Sequence, residues 1–181
     1  MRAKLISPPA ELPVTMTAAI TAARAEGAGL ESEIEQAVRT YVGEAEFETQ
    51  RAIITQTLRV TRNDFPAFFE LPRPNLLTVV HVRFCDSAGH WQTLDPQDYT
   101  VDTESTPGRV LPAPGKAWPA TAARINCVEV QYTAGYGPTH ADVPDSIKGF
   151  ILRRVAEQFG QLSPSMASSA PRLLDAERIY S

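Results

Sequence analysis

The stretch VEVQYTAGYGPTHADVPDSIKGFILRRVAEQF, residues 128–159, joins two kinds of structure through one glycine-rich turn. Its first part alternates apolar and polar residues, which predicts a β-strand. Its second part begins at Pro144, which suits the first position of a helix, and Gly160 just beyond it is typical of a helix end. The chain therefore combines sheet and helix, and the glycines of AGYG are explained by a tight turn that needs positive φ.

A β-rich region leads up to that stretch and covers residues 52–136. Residues 52–62 alternate between apolar and polar side chains, as a strand with one buried face does. Further strand patterns follow, separated by a turn around Asp86 to Gly89 and by many prolines, which favour extended connections. We predict a meandering antiparallel sheet.

Two helices are predicted before the sheet, over residues 14–49. The first is short and rich in alanine, with Thr15 or Thr17 as its N-cap and an end at Gly27 or Gly29. Because it has few large apolar residues, we expect it to be weakly anchored.

The second helix has a clear apolar stripe at spacings of three and four, with Ser32 as N-cap and Glu35 completing a capping box. The stripe comprises Leu30, Ile34, Val38, Tyr41, Val42 and Ala45. The other face is acidic and is typical of a solvated helix face. Its carboxylates are Glu33, Glu35, Glu44 and Glu46.

The last predicted helix, residues 144–160, is apolar over more than half of its circumference. Its large apolar residues are Ile147, Phe150, Ile151, Leu152, Val155 and Phe159. A helix this apolar in a small domain has more than one neighbour. Either it lies between two helices and the sheet, or part of its surface contacts another chain.

Residues 1–161 therefore form one domain, and residues 162–181 a linker followed by a C-terminal tail. The linker is rich in serine, alanine and proline, and the tail is apolar again. The apolar tail residues are Leu173, Leu174, Ile179 and Tyr180. Such a segment either docks in a groove of a partner or folds back on its own domain.

Length and composition fit one ordinary domain and exclude a polybasic nucleic-acid module. The chain has 181 residues, 43% of them hydrophobic, and a net charge of −4. Cys85 and Cys127 lack CxxC spacing, no secretory segment precedes them, and no run is long enough to span a membrane. We expect a soluble protein with free thiols, made in a reducing cytoplasm.

No residue pattern supports catalysis or a cofactor. Cys85, Asp86 and His90 flank one turn but match no zinc spacing, and neither GxSxG nor GxxxxGK[ST] occurs. The chain is therefore interpreted as a non-enzyme without metal or cofactor. Aromatic residues suggest two alternatives, a closed β-core or a platform that stacks sugars. These residues are Trp91, Trp118, Tyr99 and Tyr136.

The order of these signals resembles the head–tail connector (adaptor, or head-completion) proteins of long-tailed phages and gene-transfer agents. The resemblance covers about residues 5–159, and the set of motifs is more specific than any one of them. The motifs are ISPPAELPVTMTAA, AVRTYVGEAE, TQTLRVTRNDFP, FFELPRPNLLTVVHVRFCDSAG, YTVD, AWP, VEVQYTAGYG and VPDSIKGFILRRVAEQF. The chain departs from the family at Gly149, where alanine is expected, and in its first helix and the order of its final residues.

Together, the patterns along the chain predict an α+β fold, with helices at the N- and C-termini packed with a central antiparallel sheet or meander, and an extended C-terminal tail. The resemblance implies a ring beneath the portal, twelvefold in the particle, which extends the DNA channel and links the capsid to the neck or tail. The expected partners are copies of itself, the portal protein, a downstream neck or tail-completion protein, and DNA that passes without specific binding; no membrane is expected. Its place would be the neck of a virion or phage-like particle, assembled in the bacterial cytoplasm.

Within that role the sequence suggests two sets of residues. Subunit or portal contacts are assigned to Ile147, Phe150, Ile151, Val155, Phe159, Leu173, Leu174, Ile179 and Tyr180. The channel-facing candidates are Glu33, Glu35, Glu44 and Glu46, whose charge would keep DNA from sticking. The alternative function is a stand-alone ligand- or carbohydrate-binding β-module that uses the aromatic platform.

Overall fold

The structure, a computed structural model, describes residues 3–161 and 169–179. The chain divides into two compact units, and each is assembled from two separate stretches of sequence. The sheet unit comprises Met1–Pro9 and Thr55–Gly135, and the helical unit comprises Ala10–Ile54 and Tyr136–Ser181.

The strands of the sheet unit form two antiparallel sheets. In chain order they are β1 (Lys4–Ser7), β2 (Gln56–Arg62), β3 (Phe69–Glu70), β4 (Leu76–Cys85), β5 (Trp91–Thr93), β6 (Tyr99–Asp102), β7 (Arg109–Pro112) and β8 (Val128–Ala134). The larger sheet has the order β1-β2-β8-β4-β5, and the smaller has the order β3-β7-β6. The α+β class is confirmed.

The strand order differs from that of a simple meander because β8, the last strand, lies between β2 and β4. Val128, Val130 and Tyr132 of β8 are fully buried on one face, and Glu129 on the other face is only 9% exposed. The backbone of β8 pairs with β2 on one side and with β4 on the other, so β8 has the central position in the sheet. The alternation that predicted β2 is confirmed, since Leu58 and Val60 are buried and Arg59 lies on the opposite face.

The helical unit contains α1 (Met16–Ala23), α2 (Glu31–Thr49) and α3 (Asp145–Gln158). A 3-10 turn, Ala170–Leu174, packs on α3. These elements share one apolar core, to which α2 contributes Ile34, Ala37, Val38 and Ala45. Among the described residues, no helix is long and apolar enough to cross a membrane.

The helix ends agree only in part with the predicted caps. Thr15 is the N-cap of α1, and its Oγ1 accepts a hydrogen bond from the Ala18 amide at 3.2 Å. This helix ends at Arg24 in the left-handed conformation, before the predicted glycines, because the amide of Arg24 already caps its last carbonyls. The prediction of a Ser32 cap is wrong: Leu30 is the N-cap of α2, and the Ser32 hydroxyl instead donates to Glu33 at 2.9 Å.

The expectation that α1 is weakly anchored is also wrong. Ala19 is fully buried and Ala23 is 3% exposed, and the helix packs against both α2 and α3. Small side chains let helix backbones approach closely, so alanines can anchor a helix that has few large apolar residues.

Candidate interaction surfaces

The apolar residues of α3 lie in the core of the helical unit. Ile147, Phe150, Ile151 and Val155 are at most 1% exposed, and Phe159 is partly buried at the edge of the same core. This helix contacts α1, α2 and the 3-10 turn. Contacts within the chain therefore account for its broad apolar face, and contact of these residues with a second chain stays a prediction.

The described part of the C-terminal tail folds back on the helical unit, which was the second of the two alternatives. Ala170 and Leu174 are fully buried in the core, and Leu173 packs against it. Ile179 is half-buried, and Tyr180 lies outside the described residues. A partner contact through these apolar residues stays a prediction, and for Leu174 it would require the segment to leave this position.

Polar contacts centred on Glu177 hold the tail in place. The Glu177 carboxylate accepts hydrogen bonds from the hydroxyls of Tyr136 and Ser146, the latter at 3.2 Å. The Arg51 guanidinium donates to the Glu177 backbone carbonyl at 2.7 Å. Burial, with a further contribution from the hydrogen bond to Glu177, raises the pKa of Tyr136. The tyrosine of the AGYG turn thus stays protonated as a donor to the tail.

The four glutamates proposed to face a channel lie on two flanks of α2 rather than on one face. At 100° per residue, Glu33 and Glu44 lie within about 20° of each other, and Glu35 and Glu46 lie about 200° away. Glu35 pairs with Arg39 at 2.7 Å, Glu44 pairs with Arg154 at 3.2 Å, and Glu46 accepts a hydrogen bond from the Ile53 amide at 3.1 Å. Of the four, only Glu33 is exposed rather than partly buried, and the outward direction of α2 also carries Ser32, Gln36, Gly43 and Phe47. The channel-facing role stays a prediction.

The glycine-rich turn has a structural role, as expected, but glycine is required for a different reason at each of its two glycine positions. Gly135 has φ +146, which favours glycine. A Cβ on Gly137 would lie 2.3 Å from Cγ of Asp142. The Asp142 carboxylate accepts hydrogen bonds from the amide and hydroxyl of Thr139 at 3.0 and 2.9 Å, which hold the pKa of Asp142 below its usual value.

The aromatic residues do not form one platform. Trp118 stacks on Phe65 with ring centroids 4.7 Å apart and meets Phe69 edge to face. Trp91 lies on β5, where the Arg83 guanidinium is 5.4 Å from its ring centroid. Tyr136 belongs to the helical unit and bonds Glu177. The structure favours the core interpretation for Trp118.

The residues considered for a metal site have structural roles. Cys85 and Cys127 are buried free thiols, as expected. Asp86 shapes the β4–β5 hairpin by accepting hydrogen bonds from the amides of Ala88 and His90, each at 3.0 Å. A hydrogen bond from Gln92, together with these amides, lowers the pKa of Asp86. No group of three or more His, Cys, Asp or Glu side chains that could hold a metal ion occurs within residues 3–161 and 169–179.

Exposed apolar residues at the edges of the larger sheet were not predicted from the sequence. Leu5 and Ile6 of β1 are 48% and 38% exposed, and Leu77 and Val80 of β4 are 43% and 50% exposed. Leu77 and Val80 fall where the register of β4 against β8 shifts, so each is the extra residue of a β-bulge. The doublets Leu76–Leu77 and Val79–Val80 break strict alternation, which is a signal that could have indicated these bulges.

Comparison with known proteins gives matches among solved structures alone, since no protein-family model and no curated protein matches the chain. A chain from the neck of an empty GTA particle computed with C6 symmetry has a TM-score of 0.80 at 17% identity. A chain from the virion of a native gene transfer agent particle has a TM-score of 0.79 at 16% identity. A chain from the neck of a native GTA particle computed with C12 symmetry has a TM-score of 0.72 at 20% identity.

Each of these alignments covers 100% of this chain and 97% of the other chain. The similarity therefore includes the sheet unit, the helical unit and their order along the sequence. At these identities it shows a shared fold.

Proposed function

We propose that this chain is a structural neck protein of a gene-transfer agent or a long-tailed phage particle. It forms an adaptor ring beneath the portal, extends the DNA channel, and links the capsid to the neck or tail. One observation carries the proposal: the fold matches a neck chain over 100% of this sequence, with a TM-score of 0.80. The sequence motifs that resemble head–tail connectors are an independent support.

The ring is supported by the symmetry of the similar particles, whose necks were computed with C6 and C12 symmetry. Copies in a cyclic ring contact each other through two different surfaces of the same subunit. The partners in this proposal are other copies of the chain, the portal protein and a downstream neck component. Passage of DNA without specific binding agrees with the net charge of −4, because tight DNA binding needs cationic side chains on phosphates.

Portal contact through the C-terminal tail remains part of the proposal. Leu173 and Leu174 pack with their own helical unit, whereas Ile179 is half-buried and is not part of that core. Ile179 is therefore a better candidate than the two leucines for contact with the portal, and Tyr180, which the sequence analysis also named, lies outside the described residues.

The ligand-binding alternative has less support, because Trp118 stacks on Phe65 whereas Trp91 lies beside Arg83, so the two tryptophans have separate environments. A binding platform needs its aromatic rings on one continuous surface.

The proposal is tested by deleting the gene in the producing cells and imaging the particles by cryo-electron microscopy. We expect DNA-free or leaking heads without tails, with tailed particles restored by the full-length chain. Antibody label on the restored particles should lie between head and tail. Deletion particles that keep both tails and DNA would contradict the proposal.

A further inference from the structure

We propose that neighbouring copies join edge to edge, with β1 of one copy docking along the free edge of β4 in the next. This inference rests on the proposed ring and assigns the surfaces that close it. Its occupant is a second copy of this chain.

The free edge of β4 is the run from Leu76 to His81 on the side away from β8. On one side, β8 pairs with β4 from Leu76 to Phe84. On the other side, β5 pairs only with Arg83–Cys85, and the Leu94 amide donates to the Val82 carbonyl at 2.8 Å. Within the part of the chain that the structure describes, no strand pairs with Leu76–His81 on that side.

This edge lacks two of the usual protections against pairing, lysine and proline, although its two β-bulges are themselves a feature that opposes pairing. Natural sheets place lysine or proline on open edges, whereas the run LLTVVH contains neither. Its two bulge residues, Leu77 and Val80, are 43% and 50% exposed. Exposure of two aliphatic side chains to water is unfavourable, so burial of this edge against another chain would be stabilising.

The complementary edge is β1 at the other end of the same sheet. All four residues Lys4–Ser7 are exposed, with Leu5 at 48% and Ile6 at 38%. Among the described residues, this strand pairs only with β2. Pro8 and Pro9 follow directly, so the strand cannot continue and the pairing segment is short.

Strand direction makes these two edges compatible. Each neighbouring pair in the order β1-β2-β8-β4 is antiparallel, so β1 and β4 run in opposite directions. If a second copy is placed beside β4 in the same orientation, its β1 is antiparallel to β4 and continues the pattern. Leu5 and Ile6 would then contact Leu77 and Val80.

The location of the edges favours a ring over a two-fold dimer. A ring needs a contact between different surfaces, and opposite edges of one sheet provide two surfaces on opposite sides of one unit. Pairing of β1 with another β1 would instead bury one edge in each copy and leave the apolar bulges of β4 uncovered.

The test is cross-linking in particles that carry the full-length variant Ile6→Cys with Val80→Cys. The natural thiols Cys85 and Cys127 are buried and should not react. With a short bismaleimide, we expect a ladder of multiples of this chain on a denaturing gel. Each single variant should give no ladder, because one cysteine cannot link two different edges.

Different results overturn different statements. A second cysteine pair, Leu5→Cys with Leu77→Cys, is tested in the same way. If particles contain the chain but neither pair gives a ladder, the edge contact is overturned and the neck function is not. Dimers from Ile6→Cys alone would indicate two-fold pairing, and a Val80→Cys product with another protein would indicate a different occupant; both overturn the proposal. Particles without the chain would contradict the neck function itself.

A charge variant supplies a second measurement. We expect Leu77→Lys with Val80→Lys to lower the yield of tailed particles at least tenfold, because lysines on the edge oppose pairing. The thermal midpoint of the purified variant should match that of the unmodified chain, since both positions are half exposed. The matched control, Phe47→Lys, replaces a residue that is 68% exposed on α2 and should leave the yield unchanged. An unchanged yield in the edge variant would contradict the proposal.

Discussion

The two units of this protein differ in how many large apolar side chains they leave exposed. In the helical unit such side chains fill a core shared by α1, α2, α3 and the C-terminal tail, and Phe47 is the one exposed large apolar residue that the structure describes there. The sheet unit leaves seven such residues exposed. They are Leu5, Ile6, Phe68, Leu77, Val80, Trp91 and Ile125.

This difference teaches that a strong apolar pattern does not by itself indicate a binding surface. The sequence placed partner contacts on α3, which has the broadest apolar face, and the structure buries that face within the chain. The exposed apolar surface lies on the sheet unit, where the sequence pattern is weaker. Surfaces available to partners are those that the fold leaves uncovered.

The comparison is tested most directly with two phenylalanines. Phe150 is 1% exposed, so Phe150→Ala should lower the free energy of unfolding by about 3–5 kcal/mol. Phe47 is 68% exposed, so Phe47→Ala should change it by less than about 0.5 kcal/mol. Urea unfolding followed by far-ultraviolet circular dichroism measures both. Equal effects would contradict the contrast between core and surface.

The tail gives the next largest expected effect. Leu174 is fully buried, so Leu174→Ala should destabilise the chain by about 2–5 kcal/mol. The matched control is Leu77→Ala in the sheet unit, where about half of the side chain is already exposed and a loss of about 1 kcal/mol or less is expected. If Leu174→Ala has no effect on urea unfolding, the tail is not part of the helical core in solution.

The turn that precedes α3 should be sensitive to one added methyl group. Gly137→Ala would place Cβ 2.3 Å from the Asp142 carboxyl carbon, and we expect a cost of about 1–3 kcal/mol. Gly43→Ala is the control, because Gly43 lies within α2 with no atom within 4 Å of an added Cβ. That control should stabilise the chain by up to about 1 kcal/mol. Loss of stability in both variants would rule out the clash as the cause.

The smallest expected effect is a gain in stability at Gly149. A Cβ at this position would lie 3.7 Å from Cδ1 of Leu173, which is an ordinary van der Waals contact. Because alanine favours a helix over glycine by about 0.5–1 kcal/mol, Gly149→Ala should raise the thermal midpoint. Differential scanning calorimetry measures the shift. A lower midpoint would mean that the tail packs more closely on α3 than this distance indicates.

The parts of the fold that depend on local pattern were predictable from sequence. The apolar spacing of α2, the alternation of β2 and the hairpin at Asp86 each involve neighbours a few residues apart, and the structure has all three. The prediction of a Ser32 cap was wrong because α2 begins at Glu31, with Leu30 as its N-cap, so that Ser32 is already inside the helix. Helix ends depend on the incoming chain direction as well as on the capping residue.

The interaction surfaces were less predictable, because burial is decided by competition among distant segments. The β4 bulges had a local signal in the doublets of LLTVVHV. The exposure of these bulge residues had no local signal in the sequence. It depends on the strand β5, which is only three residues long and pairs with β4 at one end. The position of the tail likewise depends on contacts of Glu177 with Arg51, Tyr136 and Ser146, which lie at least 31 residues from Glu177 in the sequence.

The sequence by itself determined the three helices and the alternating strands such as β2 and β8, because their apolar patterns repeat over a few residues; it did not predict the strand β1. Only the tertiary structure decided that β8 inserts between β2 and β4, that the tail completes the helical core, and that the sheet edges stay uncovered. The physical reason is that each apolar face can be covered by several different segments. Which one covers it is set by the best packing of the whole chain.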